Sequence, residues 1–137
     1  MRYFAFTRQQ PALLLIARIL LMLLFVIFGY QKLIHFGGTV QYMQALGAPL
    51  PTIGALIAVV LEFFAGLAIM LGFFTRPIAL ILAIYTLATA IIGHPFWSMS
   101  GPEQMAAEIN FYKNISIIGG LLLLSVTGAG PYSLDKK

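Results

Sequence analysis

Between Pro51 and Arg76 the chain runs through about 22 apolar residues broken by one carboxylate, Glu62. A stretch of that length crosses a bilayer, which takes roughly 20 apolar residues at about 1.5 Å each. An ionised carboxylate at mid-depth costs at least about 2.5 kcal/mol on insertion scales, so Glu62 is expected to face protein and to be neutralised or protonated. Gly54, Ala58, Glu62 and Gly66 recur every fourth residue. On a helix they form one face of small side chains that lets a neighbouring helix come close to the carboxylate. The remaining helices are therefore read for what they bring to Glu62.

Composition sets the class. With 61% hydrophobic and 9% charged residues in 137, the chain cannot clothe a soluble core in a polar shell, whereas a surface facing lipid needs none. The fold class is an all-α membrane protein, read as one domain. Its positive charges, net +4, are scattered, so a nucleic-acid footprint is not indicated. The absence of cysteine excludes disulfides, thiolate-ligated metals and dithiol redox cycles carried by this chain, and no covalently bound cofactor is expected.

Four spans are predicted, at about 12–33, 52–74, 77–93 and 106–127, in a four-helix bundle. The first exceeds a signal-peptide core and no small-x-small cleavage site follows, so it is read as an uncleaved helix. Within it Arg18, Phe25, Gly29 and Lys32 fall on one stripe. The glycine- and proline-rich segment 35–51 is a loop with room for a short interfacial helix around 39–46. Trp97 marks a second interfacial loop, and Gly128-Ala129-Gly130-Pro131 ends the last helix. Arg2, Arg8, Arg76, Lys136 and Lys137 flank one side of the bundle against Lys32 on the other, a bias that predicts both termini in the cytoplasm.

Depth along the spans suggests a polar site. Counting about 1.5 Å per residue from the outer side, Lys113 lies roughly 9 Å in, Glu62 roughly 15 Å and Arg18 roughly 24 Å. The expectation is an Arg18, Glu62, Lys113 network inside the bundle, with Asn110 and Asn114 beside the lysine at helical spacing and Tyr85 as a further buried donor. Two cations to one anion would suit an anion or a polarised carbonyl oxygen such as that of a quinone. The competing reading is a charge cluster that fixes helix register and binds nothing. Lys32, His35 and His94 are assigned to the outer mouth. Two histidines without a ligand spacing make a metal or haem site the lesser reading, and no metal is assigned.

These features together resemble the DoxX family. The similarity rests on Arg18, Phe28-Gly29-Tyr30-Gln31-Lys32-Leu33, Tyr42-Met43, Glu62 with Gly66, Leu71-Gly72-Phe73-x-Thr75-Arg76, Asn110-Phe111-x-Lys113-Asn114, and the tail Gly128-Ala129-Gly130-Pro131-Tyr132-Ser133-Leu134-Asp135. The resemblance implies a small four-helix protein of the bacterial inner membrane, associated with redox enzymes. A non-covalently bound quinone and a soluble or membrane redox partner follow from it as expectations. The alternatives are a non-catalytic scaffold or assembly factor and a carrier for a small anion or lipophilic metabolite. The small-residue faces permit a homo-oligomer.

Overall fold

In the computed structural model, which describes residues 8–135, all regular structure is helical. The helices are α1 (Gln10–Ile34), α2 (Phe36–Ala45), α3 (Pro51–Val59), α4 (Ala65–Leu71), α5 (Thr75–Gly93) and α6 (Pro102–Thr127). A single π-helical turn, Val60–Phe64, joins α3 to α4 into one span, and a short 3₁₀ turn, Phe96–Ser98, lies before α6. Four segments of 25, 21, 24 and 26 residues are long and apolar enough to cross a membrane. Even the shortest, at about 31 Å, matches a hydrocarbon layer of about 30 Å.

The differences from the predicted boundaries have local causes. The second span stops at Leu71 rather than near residue 74, because Gly72 takes a left-handed conformation with φ of 72° and closes the helix. Phe74, at φ 45°, is the one non-glycine residue with positive φ among the described residues. That conformation is unusual for a bulky side chain and must be held from outside. Pro77 lies within the first turn of α5, where its missing N–H is not needed, so the helix starts two residues earlier, at Thr75. The interfacial helix is longer than its expected core, beginning at Phe36.

Two ends of the bundle differ in filling. The buried cluster of Met22, Phe25, Ile69, Leu82, Leu121 and Leu124 occupies the half where α1 begins, α4 ends, α5 begins and α6 ends. We call this the latch end. In the other half, α1 and the second span stand apart from the α5–α6 pair, and α2 with the loop to α3 covers the opening. Large apolar residues such as Leu20, Ile84, Leu123 and Val126 are exposed around the outside, as a lipid-facing surface allows.

The latch end is tied by the tail. Leu134 N–H donates to Leu71 O at 3.0 Å and Asp135 N–H to Gly72 O at 2.8 Å. The Asp135 carboxylate in turn accepts from Phe74 N–H and Thr75 N–H, each at 2.9 Å. It thereby holds the left-handed Phe74 and satisfies orphan donors at the start of α5. A side chain at Gly72 would collide with Ser133, 2.2 Å from an added Cβ, so glycine is required there twice over. Arg76 reaches across to α6, donating to Val126 O at 2.6 Å, where a cation complements the helix C-terminus.

Candidate functional site

The stripe on α1 does face inward. Arg18, Met22, Phe25 and Gly29 are buried, and Lys32 is half-buried at the far end. Helical side chains lean toward the N-terminus of their own helix, so the two cations of this stripe reach toward the latch end. For Arg18 that direction leads into the latch. For Lys32, near the last turn of α1, it leads back into the bundle.

Arg18 accordingly does not meet Glu62, in contrast to the expected network. Its Nε and Nη2 donate to Met70 O at 3.2 and 3.1 Å, Nη2 also to Tyr132 O at 2.8 Å, and Nη1 to Ala129 O. Carbonyls at the end of α4 and in the tail are the acceptors that helix geometry leaves without partners, and the guanidinium takes them. Arg18 is a structural clamp. Lys113 is a second correction: it is exposed on the outward face of α6, beside Glu108 and Tyr112. Asn110 is exposed with it, while Asn114 is half-buried on the inward side and donates to Thr89 Oγ1 at 3.4 Å. The expected cluster of Asn110, Lys113 and Asn114 is thus split between two faces of one helix.

Glu62 is instead held by Lys32 and Tyr85. Lys32 Nζ donates to Glu62 Oε1 at 2.8 Å, and Tyr85 Oη donates to Oε2 at 2.6 Å. The pair is well shielded, the Glu62 side chain being 9% exposed and that of Lys32 27%. Among the described residues it is the only salt bridge. Both carboxylate oxygens are engaged by donors from two other helices, α1 and α5, which is the arrangement a carboxylate at membrane depth requires.

Two backbone features bring these groups into range. Glu62 lies at the centre of the π-helical turn, whose wider ring interrupts the regular α-helical register of the span. Gly29 faces that turn so closely that an added Cβ would stand 2.5 Å from Phe63 N and 2.9 Å from Glu62 Cβ. Without a side chain at 29, the α1 backbone lies against Glu62, and Lys32 one turn on needs to cover only the remaining gap. The small-residue face read from the sequence is used here: Ala58 and Gly66 are buried with Glu62, and Gly66 packs on Phe25 and Val26.

The three polar groups line a cavity of about 510 Å³ between the two halves of the bundle. Thr86, Thr89, Asn114 and His94 add polar atoms along the α5–α6 side, while Leu24, Ile53, Ile57 and Ile92 form apolar walls. Those four wall residues are each about half exposed. Tyr42, Met43 and Leu46 of α2 and the loop after it form its cover. His35 does not share this site: it lines a separate outer groove with Tyr30 and Gln31. The two histidines that the sequence assigns to one mouth therefore belong to different surfaces. Lys32, assigned there too, belongs to the cavity.

A family model described as DoxX matches residues 13–95, a range that carries Arg18, Lys32, Glu62 and Tyr85 but stops short of Asn114 and the tail. Inner membrane protein YphA of Escherichia coli (strain K12) is 54% identical over 137 residues, covering 100% of this chain and 98% of that protein. Inner membrane protein YqjF of the same organism is 43% identical over 125 residues, 89% of this chain and 88% of its own. The ER-derived vesicles protein ERV29 of Saccharomyces cerevisiae (strain ATCC 204508 / S288c) is 28% identical over 130 residues, which span 95% of this chain and 35% of the yeast protein. No solved structure matches.

Proposed function

Given that the chain belongs to the DoxX family and is a multi-pass inner-membrane protein, we propose that its cavity binds the headgroup of a quinone for a redox partner. The observation that carries this reading is the Lys32, Glu62, Tyr85 chain at the wall of a largely apolar cavity between membrane-spanning helices. A volume of about 510 Å³ lies within the usual range for small-molecule sites, about 300–1,000 Å³. A quinone ring enters from the bilayer and presents carbonyl oxygens, which need donors. Lys32 has three N–H groups and spends one on Glu62, leaving two. The Asn114 amide and the Thr89 hydroxyl offer a second polar point across the cavity. Glu62 aims the ammonium, and Tyr85 keeps Glu62 from turning toward the ligand. A quinone, when bound, supplies two-electron redox chemistry, and the electrons come from the partner because this chain has no redox-active thiol.

The test is thermal unfolding of the purified protein with a short-tailed benzoquinone. A ligand specific for the folded state at about one hundred times its Kd stabilises by about 2.7 kcal/mol. We expect the transition to rise with quinone in the native chain and to stay fixed in Lys32→Met. An unchanged native transition would remove the quinone reading.

The scaffold reading draws on the other end of the molecule, where Phe73, Phe74, Tyr132 and Leu134 are exposed around the latch. A soluble partner whose copurification survives Glu62→Gln but is lost in Tyr132→Ser with Leu134→Ser would favour it over quinone binding.

A further inference from the structure

Glu108 and Lys113 take no part in the cavity, and among the described residues neither has a hydrogen-bond or ion-pair partner within the chain. Both are exposed on α6. That helix has 26 residues, about 39 Å, roughly 9 Å more than the hydrocarbon needs. Lys113 stands 11 residues from its start, about 16 Å along. Even if the whole excess protruded at that end, Lys113 would lie about 7 Å inside the apolar layer and Glu108 near its boundary. Ionisable residues at such depth ordinarily face protein.

The residues around them repeat in a specific way. Ile109, Tyr112, Ser116, Gly119, Leu123 and Val126 are spaced alternately by three and four, all are exposed, and they lie on one stripe of α6. Alternating three and four is the heptad seam of a coiled coil. Glu108 directly precedes one seam position and Lys113 directly follows the next, which places them at the two flanking positions, g and e. In a parallel pair of helices these are the positions that form interhelical salt bridges. The five-residue offset is about 7.5 Å of rise, and a lysine leaning toward its helix N-terminus spans it. The middle of the seam is small, Ser116 and Gly119, and a side chain at Gly119 would meet nothing of this chain within 4 Å. Intrachain packing does not require a glycine there, whereas close approach of a second helix does.

We propose that this seam of α6 is the interface of a parallel homodimer in the membrane. Copies inserted in one orientation are related by a two-fold axis along the bilayer normal, so each Glu108 pairs with the partner's Lys113 and the contact forms twice. One kind of partner, a second copy of this chain, answers both charges at once. The interface uses the face of α6 turned away from the cavity, and it stands whether or not a quinone binds.

Cysteine cross-linking in native membranes tests it, since the chain has no cysteine of its own. Ser116→Cys and Leu123→Cys should form disulfide-linked dimers on mild oxidation, while Ile84→Cys, 72% exposed on α5, should not. In the Ser116→Cys background, Glu108→Lys and Lys113→Glu should each lower the cross-linked fraction several-fold, and the two together should restore it. Restoration excludes a folding defect as the cause of the single losses. The proposal is overturned if Ile84→Cys cross-links as well as the seam positions, or if the seam variants stay monomeric because Lys113 only reaches to lipid headgroups. Insensitivity to the single reversals, or failure of the double reversal to recover, overturns it equally.

Discussion

At the scale of single residues, Glu62 depends on two donors that differ in charge, and the two can be separated. Glu62→Gln leaves the Lys32 ammonium in a membrane cavity without its carboxylate, a loss we place at about 2 kcal/mol, below the value for a fully buried pair because Lys32 is partly exposed. Tyr85→Phe removes one hydrogen bond to a charged acceptor and should cost about 1.5 kcal/mol. Both are measured as shifts of the unfolding transition in a mild detergent, and Glu62→Gln should give the larger one. Part of this site is legible in the sequence. Helical periodicity identifies the inward stripe of Arg18, Phe25, Gly29 and Lys32, and the cost of a buried acid singles out Glu62. Its partners are not legible from axial depth, because depth ignores the lean of each side chain. That lean turns Arg18 away from the carboxylate and Lys32 toward it. Lys113 is misplaced for another reason: polar residues of α6 occupy several faces, and no pattern in that helix alone says which one is inside.

At the scale of elements, the contact between α1 and the π-helical turn sets the geometry of the whole site. Gly29→Ala places a methyl against the backbone of Phe63, and forcing the helices apart should cost about 1–3 kcal/mol, as overpacking does. On the proposed quinone reading it should also lower quinone affinity, since Lys32 then no longer reaches Glu62, and a binding titration checks this. The turn itself has no signature in the residues Val60 to Phe64, which suit an ordinary α-helix. It becomes intelligible only beside the glycine that faces it.

The latch offers an element-scale prediction in pH. Partial burial pushes the Asp135 carboxyl upward, but hydrogen bonds from Thr75 and Phe74 and the nearby Arg18 charge outweigh it and hold the group below its ordinary value. A folded-state value below the unfolded one means that the stabilisation is fully present above the ordinary carboxylate range. It is lost as pH falls from about 4 through the folded value. Melting temperature should therefore drop on acidification in this window, and Asp135→Asn should melt lower at neutral pH with a shallower acid dependence. The helix boundaries here are blurred in the sequence by Phe73 and Phe74, whose apolar character extends the span on paper, while the Asp135 that holds Phe74 in place comes more than 60 positions later.

At the scale of the molecule, one end is packed and tied and the other holds the cavity. The start of α1, the α4–α5 turn and the tail share the latch end, and the bias of basic residues leads us to propose that this end faces the cytoplasm. A fluorescent protein fused after Lys137 should then fold and fluoresce, while a periplasmic reporter at the same point should stay inactive. Four apolar spans are legible from hydropathy alone, because length and composition decide whether a helix can enter a bilayer. The unequal filling of the two halves is not, because it depends on which side chains meet across helices.

Arg18 is made early and its acceptors late: the carbonyl of Ala129 is 111 positions further along the chain. Translation runs from the N-terminus, so the first helix enters the bilayer carrying a cation that nothing yet synthesised can fully satisfy. A ribosome that stalls or terminates before residue 129 releases a chain with that cation still unanswered. A chain truncated before residue 129 should therefore hold its first helix in the membrane less stably than one that carries the Ala129 and Tyr132 carbonyls.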